Sequence, residues 1–206
     1  MLRAAALECV RGGRRLFSGL SFELAPHALL EVRGANGSGK TSLLRMLCGL
    51  LAPAAGRIAW SGADISSSRE EYCAQIAYIG HLNGIKDELS SLENVVLAAH
   101  AAGLAANAES ADAALRRLGL VGFQHAPCKT LSQGQRRRVA FARLCLSAER
   151  PLWLLDEPYA ALDAAAVRLM QELIAEHLER GGLAVLSAHQ DVEVAARSVQ
   201  RIELSP

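Results

Sequence analysis

Apolar positions in the N-terminal part of this chain alternate or run in short blocks, Leu2 to Val10, Leu20 to Leu24 and Leu29 to Val32, separated by Gly12-Gly13 and Pro26-His27. A period near two, broken by glycine and proline, predicts short strands joined by turns. Ser42 to Leu51 then reads as a helix, Pro53 to Gly56 as a turn, Arg57 to Trp60 as a short strand and Ile76 to Ile79 as a β-rich segment. From Ser91 to Leu120 the spacing becomes helical, with Leu92, Val95, Val96 and Ala99 followed by Leu115, Leu118 and Leu120, which predicts an inserted helical subdomain. Leu152 to Leu155 and Leu183 to Ser187 are unbroken apolar runs and predict buried strands. Between them Asp163 to Arg180 reads as a helix stopped by Gly181-Gly182, and Gln200 to Leu204 as a last strand. Strands and helices in this order predict an α/β fold.

Composition narrows the class. At 206 residues and 51% hydrophobic, the chain can bury a full core as one domain or as a lobe with a smaller insertion. Its longest weakly polar stretch, Val95 to Ala106, contains His100 and is too short to span a bilayer, and the N-terminus lacks a signal-peptide pattern. The expectation is a chain with no direct membrane span, whose membrane role comes through partners. A formal charge of +1 supplies no field for nucleic acid, and the one dense basic run, Arg136-Arg137-Arg138, reads as a solvated helix face. Cys9, Cys48, Cys73, Cys128 and Cys145 are widely spaced with no C-x-x-C pair, which supports neither a disulfide framework nor a zinc site and fits a reducing cytoplasm.

The chemistry is concentrated in four segments. Gly34-Ala35-Asn36-Gly37-Ser38-Gly39-Lys40-Thr41 fits G-x-x-x-x-G-K-[ST] between a strand and a helix that begins near Ser42. Its glycines let backbone N–H groups turn around a phosphate at a helix N-terminus, Lys40 reaches the terminal phosphates, and the Thr41 hydroxyl suits Mg²⁺. An ammonium about 4 Å from one phosphate charge contributes roughly 4 kcal/mol before desolvation at an effective dielectric near 20. The buried strand Leu152 to Leu155 ends in Asp156-Glu157, at the carboxyl edge where ligands bind in parallel sheets; Asp156 suits a metal-bound water and Glu157 a water poised for in-line attack. Ser132-x-x-Gln135 is a capping box that a well-capped helix would explain, yet it does not require Gly134, which would let a second anion approach the backbone. His189 follows another buried strand, where an imidazole either bonds to a γ-phosphate and orients water or serves in capping and packing.

With these motifs in this order the chain resembles the nucleotide-binding domains of ABC transporters over nearly its whole length. The resemblance implies a P-loop NTPase core with an N-terminal antiparallel β-subdomain and an inserted α-helical subdomain at about residues 82–130, within one ATP-binding domain spanning residues 1–206. It also implies ATP and Mg²⁺ as cofactors and head-to-tail pairing of two copies. Each ATP would lie between one copy's phosphate loop and the signature Ser132, Gly134 and Gln135 of the other, with Asp163 in the D-loop and His189 as the switch histidine. Gln133 stands where the family usually has glycine, and its side chain can point outward. His81 stands where the family has a Mg²⁺-contacting glutamine; it either contacts the metal region or is a surface histidine. Arg11 occupies the register of the adenine-stacking aromatic, and its guanidinium plane can stack on a purine.

The short chain, Gly80-His81 followed by Gly84-Ile85-Lys86 and Leu92-Glu93-Asn94, and Leu155 to Tyr159 are similar to the CcmA family, the ATP-binding subunits of the haem-handling cytochrome c maturation system. That similarity implies a peripheral ATPase on the cytoplasmic face of a bacterial inner membrane. Its partners would be CcmB-like and CcmC-like membrane subunits, and hydrolysis would drive haem export or release of the haem-loaded chaperone CcmE. Nothing in the residues themselves points to haem ligation. A cytosolic assembly factor, or an ABC subunit for another substrate, remains an alternative. A DNA-repair clamp would need sustained heptads that are missing here, and a small-molecule P-loop kinase would leave Ser132, Gln135 and His189 without a role.

Overall fold

Strand β1 (Leu2–Arg11) turns Leu2 and Ala4 inward and then Leu7 and Cys9, so its buried positions switch from even to odd. A pleated strand changes parity only by accommodating an extra residue. The ladder to β2 (Arg14–Leu24) shifts register between Ala4 and Leu7, with Ala6 at φ 50. The Ser21 hydroxyl accepts the Ala6 N–H at 2.8 Å. On the other side, β4 (Ala55–Trp60) brings Gly56 against the bulge, where a Cβ would lie 2.4 Å from the Ala6 carbonyl oxygen. With β5 (Ala63–Asp64) these strands form an antiparallel sheet in the order β2-β1-β4-β5.

The computed structural model describes residues 1–188 and 193–204, and they group into two units. The first comprises Met1–His81, Arg150–Pro158 and Ile174–Pro206; the second comprises Leu82–Glu149 and Tyr159–Leu173.

In the first unit a second sheet is built from β3 (Ala28–Gly34), β6 (Ile76–Ile79), β7 (Leu152–Leu155), β8 (Leu183–Ser187) and β9 (Ser198–Leu204). The order is β6-β7-β8-β3-β9 and every neighbouring pair is parallel. Because the strands run the same way, Gly34 at the end of β3 and Gly80, Asp156 and Ala188 just past β6, β7 and β8 lie at one carboxyl edge. β7 and β8 are buried at every position, as strands covered on both faces must be. Helix α1 (Lys40–Leu47) buries Leu43, Leu44, Met46 and Leu47 on a face of helical period. One apolar cluster joins that face to Leu2, Leu7 and Phe22 of the antiparallel sheet and to Leu30, Leu154 and Val185 of the parallel one. Each such leucine contributes about 1.5–3 kcal/mol by leaving water. Helix α2 (Arg69–Cys73) closes the cluster with Tyr72, whose hydroxyl donates to the Leu47 carbonyl.

The second unit is helical. α3 (Ser91–Ala101), α4 (Ala108–Arg117) and α5 (Gln133–Leu146) each start at a reciprocal capping box, Ser90 with Glu93, Asn107 with Ser110 and Ser132 with Gln135. Such boxes satisfy donors that a helix start otherwise leaves unpaired. The helix-rich stretch expected from Ser91 to Leu120 is therefore two helices, since Gly103 at φ 73 ends one and Asn107 begins the next. The side chain of Asn94 fastens the preceding loop: its Oδ1 accepts the Lys86 N–H at 2.8 Å and its Nδ2 donates to the carbonyls of Lys86 and Leu89 at 2.9 and 3.2 Å. The expectation of a solvated arginine face on α5 is corrected. Arg137 is 5% exposed, stacks 4.8 Å from the Phe141 ring centre and donates to Asn83 Oδ1 at 2.9 Å. Arg136 pairs with Asp87, and Arg138 donates to the Leu118 and Gly119 carbonyls. A helix in contact with loops on both flanks uses its arginines as ties, a tertiary fact that a charge run cannot reveal.

Helix α6 (Ala164–Glu179) carries His177 near its end. This imidazole is 4% exposed and stacks on Trp153 of β7 with ring centres 4.0 Å apart and planes 7° from parallel. Its Nε2 lies 3.1 Å from the Leu183 carbonyl oxygen, which can only accept, so that nitrogen carries the proton. Burial pushes the His177 pKa down to about 4, with nearby Arg180 adding in the same direction against the Leu183 and Pro151 carbonyls. No helix among the described residues is long and apolar enough to cross a membrane.

Candidate nucleotide-binding site

The loop between β3 and α1 is shaped by three left-handed glycines, Gly34 at φ 137, Gly37 at φ 82 and Gly39 at φ 105. At Gly34 a side chain is also excluded by space, since a Cβ would sit 2.4 Å from the Leu204 carbonyl oxygen and 2.6 Å from Ser38 Oγ. Helix α1 begins at Gly39 with no side-chain cap and no acidic residue in its first turn, so the positive end of its dipole is left for an anion. Lys40 is 6% exposed and folds back over the loop, donating from Nζ to the carbonyls of Gly34 at 2.7 Å and Ala35 at 3.0 Å. Ser38 Oγ is buried with no hydrogen-bond partner, an orphaned donor inside the cradle. Ala35, Asn36 and Gly37 are exposed at its rim. Thr41 and Ser42 are half-buried in the first turn of α1; burial raises the Cys9 thiol above its ordinary pKa, against the influence of the Ser42 hydroxyl.

Asp156 and Glu157 follow β7 at the same sheet edge. Asp156 is 1% exposed, and its N–H donates to the Ile79 carbonyl at 2.8 Å, continuing the ladder past the strand end. Its negative charge and burial together hold the Tyr78 hydroxyl above its ordinary pKa, burial being the larger cause. Glu157 takes a left-handed backbone, φ 50, which a residue with a Cβ adopts only when its surroundings impose it. In that conformation the Ser187 hydroxyl accepts the Glu157 N–H at 2.9 Å while donating to Asp156 Oδ1 at 2.7 Å. His81 lies beside the same carboxylate, with Nδ1 3.5 Å from Glu157 Oε2 and a side chain 65% exposed.

The structure thus brings the Gly34 to Ser42 segment, Asp156, Glu157 and His81 to one edge of the first unit. Arg11 is exposed at the end of the β1–β2 hairpin, opposite Arg14, and its charge reaches the Cys9 thiol, on which Ser42 of α1 also acts. Leu16 and Phe17 of β2 had no role in the sequence reading, yet they lie against the phosphate loop, where a Cβ on Gly39 would come within 3.1 Å of the Phe17 ring. Ser187 was also missed as a site residue; the signal was a single hydroxyl closing an otherwise apolar strand at the ligand edge.

The signature residues belong to the second unit. Ser132 Oγ accepts the Gln135 N–H at 3.2 Å and Gln135 Oε1 accepts the Ser132 N–H at 2.8 Å, while Gln133 is exposed. Gly134 makes room for the Ala161 carbonyl oxygen, which a Cβ would meet at 2.9 Å. Asp163 caps α6, its Oδ1 accepting the Ala166 N–H at 2.8 Å. His189 lies outside the described residues.

A family model described as ABC transporter matches residues 17–160. The cytochrome c biogenesis ATP-binding export protein CcmA of Dechloromonas aromatica (strain RCB) is 52% identical over 204 residues, covering 99% of this chain and 100% of its own length. The protein of the same name from Nitrosospira multiformis is 48% identical over 204 residues, covering 99% and 98%. Among solved structures, an ATP-binding subunit of an ABC transporter superposes with TM-score 0.79 at 28% identity, covering 91% of this chain and 79% of its own. A dimeric ATP-binding cassette in a post-hydrolysis state bound to ADP and Pi has TM-score 0.80 at 22% identity, covering 92% and 88%, a likeness of fold.

Proposed function

Because this chain belongs to the ABC transporter ATP-binding family, we propose that it is the ATP-hydrolysing subunit of a membrane complex that drives haem export, or release of a haem-loaded chaperone, in c-type cytochrome biogenesis. The observation that carries the catalytic part is the phosphate cradle, with its uncapped helix start and orphaned Ser38 hydroxyl, on the same sheet edge as Asp156 and Glu157. The biological part rests on relatives named as cytochrome c biogenesis export proteins that match from end to end.

In this reading the loop N–H groups from Gly34 to Thr41 hold the phosphates and Lys40 exchanges its two carbonyl contacts for terminal phosphate oxygens. The Thr41 hydroxyl and the Asp156 carboxylate are hard oxygen donors, the kind that Mg²⁺ takes in ones and twos beside phosphate and water. When bound, that ion supplies charge neutralisation at the transferring phosphate. Glu157 accepts a proton from the attacking water, and His81 orients that carboxylate or water from 3.5 Å away. Leu16, Phe17 and Arg11 offer surfaces for the base and sugar. Ser132, Gly134 and Gln135 close over the γ-phosphate of a second copy arranged head to tail, with Asp163 and His189 at that junction. CcmB-like and CcmC-like subunits hold the chain at the cytoplasmic face of the inner membrane.

Two measurements test this. Phosphate release from MgATP without any added acceptor is expected from the wild type, and Lys40→Ala is expected to lose on the order of 10²-fold or more; retention of a tenth of the activity would contradict the role of Lys40. Co-purification with a hydrophobic subunit from detergent-solubilised membranes is expected, whereas recovery only in the soluble fraction would favour a cytosolic assembly factor.

A further inference from the structure

Ser187 ends β8, the strand that separates the phosphate-loop strand β3 from the carboxylate strand β7. It is 0% exposed, and its Oγ stands between two consecutive residues of the site, 2.7 Å from Asp156 Oδ1 and 2.9 Å from the Glu157 backbone nitrogen. A hydroxyl has one proton to give. The amide of Glu157 can only donate, so Oγ accepts there and its proton is committed to the carboxylate. Each bond therefore sets the direction of the other, and together they tie the side chain of Asp156 to the backbone of Glu157.

The tie bears on a conformation that would not persist alone. Glu157 is at φ 50, a region that disfavours any residue with a Cβ, and its N–H is turned toward Ser187 in that conformation. Strand pairing holds the other end: Ser187 is in register with Val32 of β3, two residues before the phosphate loop begins at Gly34. A shift of β8 relative to β3 would therefore displace both carboxylates from the phosphates together.

We infer that Ser187 is a positioning residue for ATP hydrolysis, its one hydroxyl fixing the carboxylate of Asp156 and the turn that aims Glu157 relative to the phosphate loop. The inference rests on the ATPase reading above. It predicts that loss of the hydroxyl is felt in the chemical step more than in nucleotide binding, because the phosphate loop makes no hydrogen bond to Ser187 Oγ among those just described.

The test is steady-state hydrolysis of MgATP by the full chain and by Ser187→Ala, Ser187→Thr and Ser187→Cys, each checked by thermal melting. Ser187→Ala is expected to lower kcat about 10–100-fold, the range set by losing a hydrogen bond to a charged group, with KM for ATP within about threefold of wild type. Ser187→Thr keeps the hydroxyl and should return kcat to within about tenfold of wild type; Ser187→Cys, close in size with a weaker donor, should fall between Ala and wild type. An Ala variant keeping more than about a third of the wild-type kcat, a defect confined to KM, or Thr and Cys variants no better than Ala would each overturn the inference while leaving the ATPase reading standing. Wild type that releases no phosphate would overturn that reading and the inference with it.

Discussion

Replacing His177 with glutamine should flatten the acid side of the stability profile. The imidazole is 4% exposed between Trp153 and Gly182, where even a Cβ on the glycine would come within 2.3 Å of the ring. The Leu183 and Pro151 carbonyls favour its charged form, but burial and the cation of Arg180 outweigh them. With the folded pKa at about 4 against an ordinary 6.5, the unfolded chain binds the proton more readily than the folded one throughout that interval. Stability from neutral His177 is thus fully present above 6.5 and is lost as pH falls toward 4. Two and a half units at 1.36 kcal/mol each correspond to about 3 kcal/mol in full, and to about 2 kcal/mol at pH 5. Urea unfolding at about pH 7.5 and pH 5 measures this if wild type and His177→Gln are compared at both, so that other titrating groups cancel. The variant starts lower because it gives up the stack on Trp153, and the gap should narrow by about 2 kcal/mol on acidification. A gap that stays constant within about 0.5 kcal/mol would show that His177 is not buried neutral in the folded protein.

Glu157→Gln should retain MgATP affinity while hydrolysis falls by at least about 10²-fold, because shape is preserved and the proton acceptor is removed; light scattering should then detect an ATP-dependent dimer, and normal turnover would exclude Glu157 as the base. Gly134→Ala forces either α5 or the Ala161 carbonyl to move, since the new methyl carbon would lie 2.9 Å from that oxygen. The expected cost is about 1–3 kcal/mol, read as a melting temperature lowered by several degrees, and an unchanged melting temperature would show that the contact yields freely.

What could be read ahead in the sequence was local. The strand, glycine loop and helix around Lys40 lie within a few residues of one another, and the apolar runs of β7 and β8 announce burial on both faces without knowledge of their neighbours. What could not be read was carried by long-range contacts. Ser187 meets Asp156 from 31 residues away, and Phe17 reaches Gly39 only because β2 folds back under the loop. Arg137 looks in the sequence like one more solvated member of a charge run, but Asn83, 54 residues earlier, and Phe141 on its own helix bury it. Gly134 invited an explanation in terms of an approaching anion, and the structure adds a second occupant for the same space in the Ala161 backbone. The short elements β5 and α2 have too few residues for any period to show.

With Lys40 in the phosphate-binding role proposed for it, its two carbonyl contacts make nucleotide binding an exchange reaction rather than a simple capture. Before a phosphate can take the ammonium, the protein must release bonds of 2.7 and 3.0 Å to Gly34 and Ala35. Until then the ammonium keeps two oxygen partners on the loop itself, so its charge is not left bare beside the uncapped start of α1. The same occupancy sets a selectivity threshold. On that proposal a lone weakly charged anion gains little over the carbonyls it displaces, whereas a polyphosphate brings enough charge to win the contest, which favours nucleotides over smaller anions.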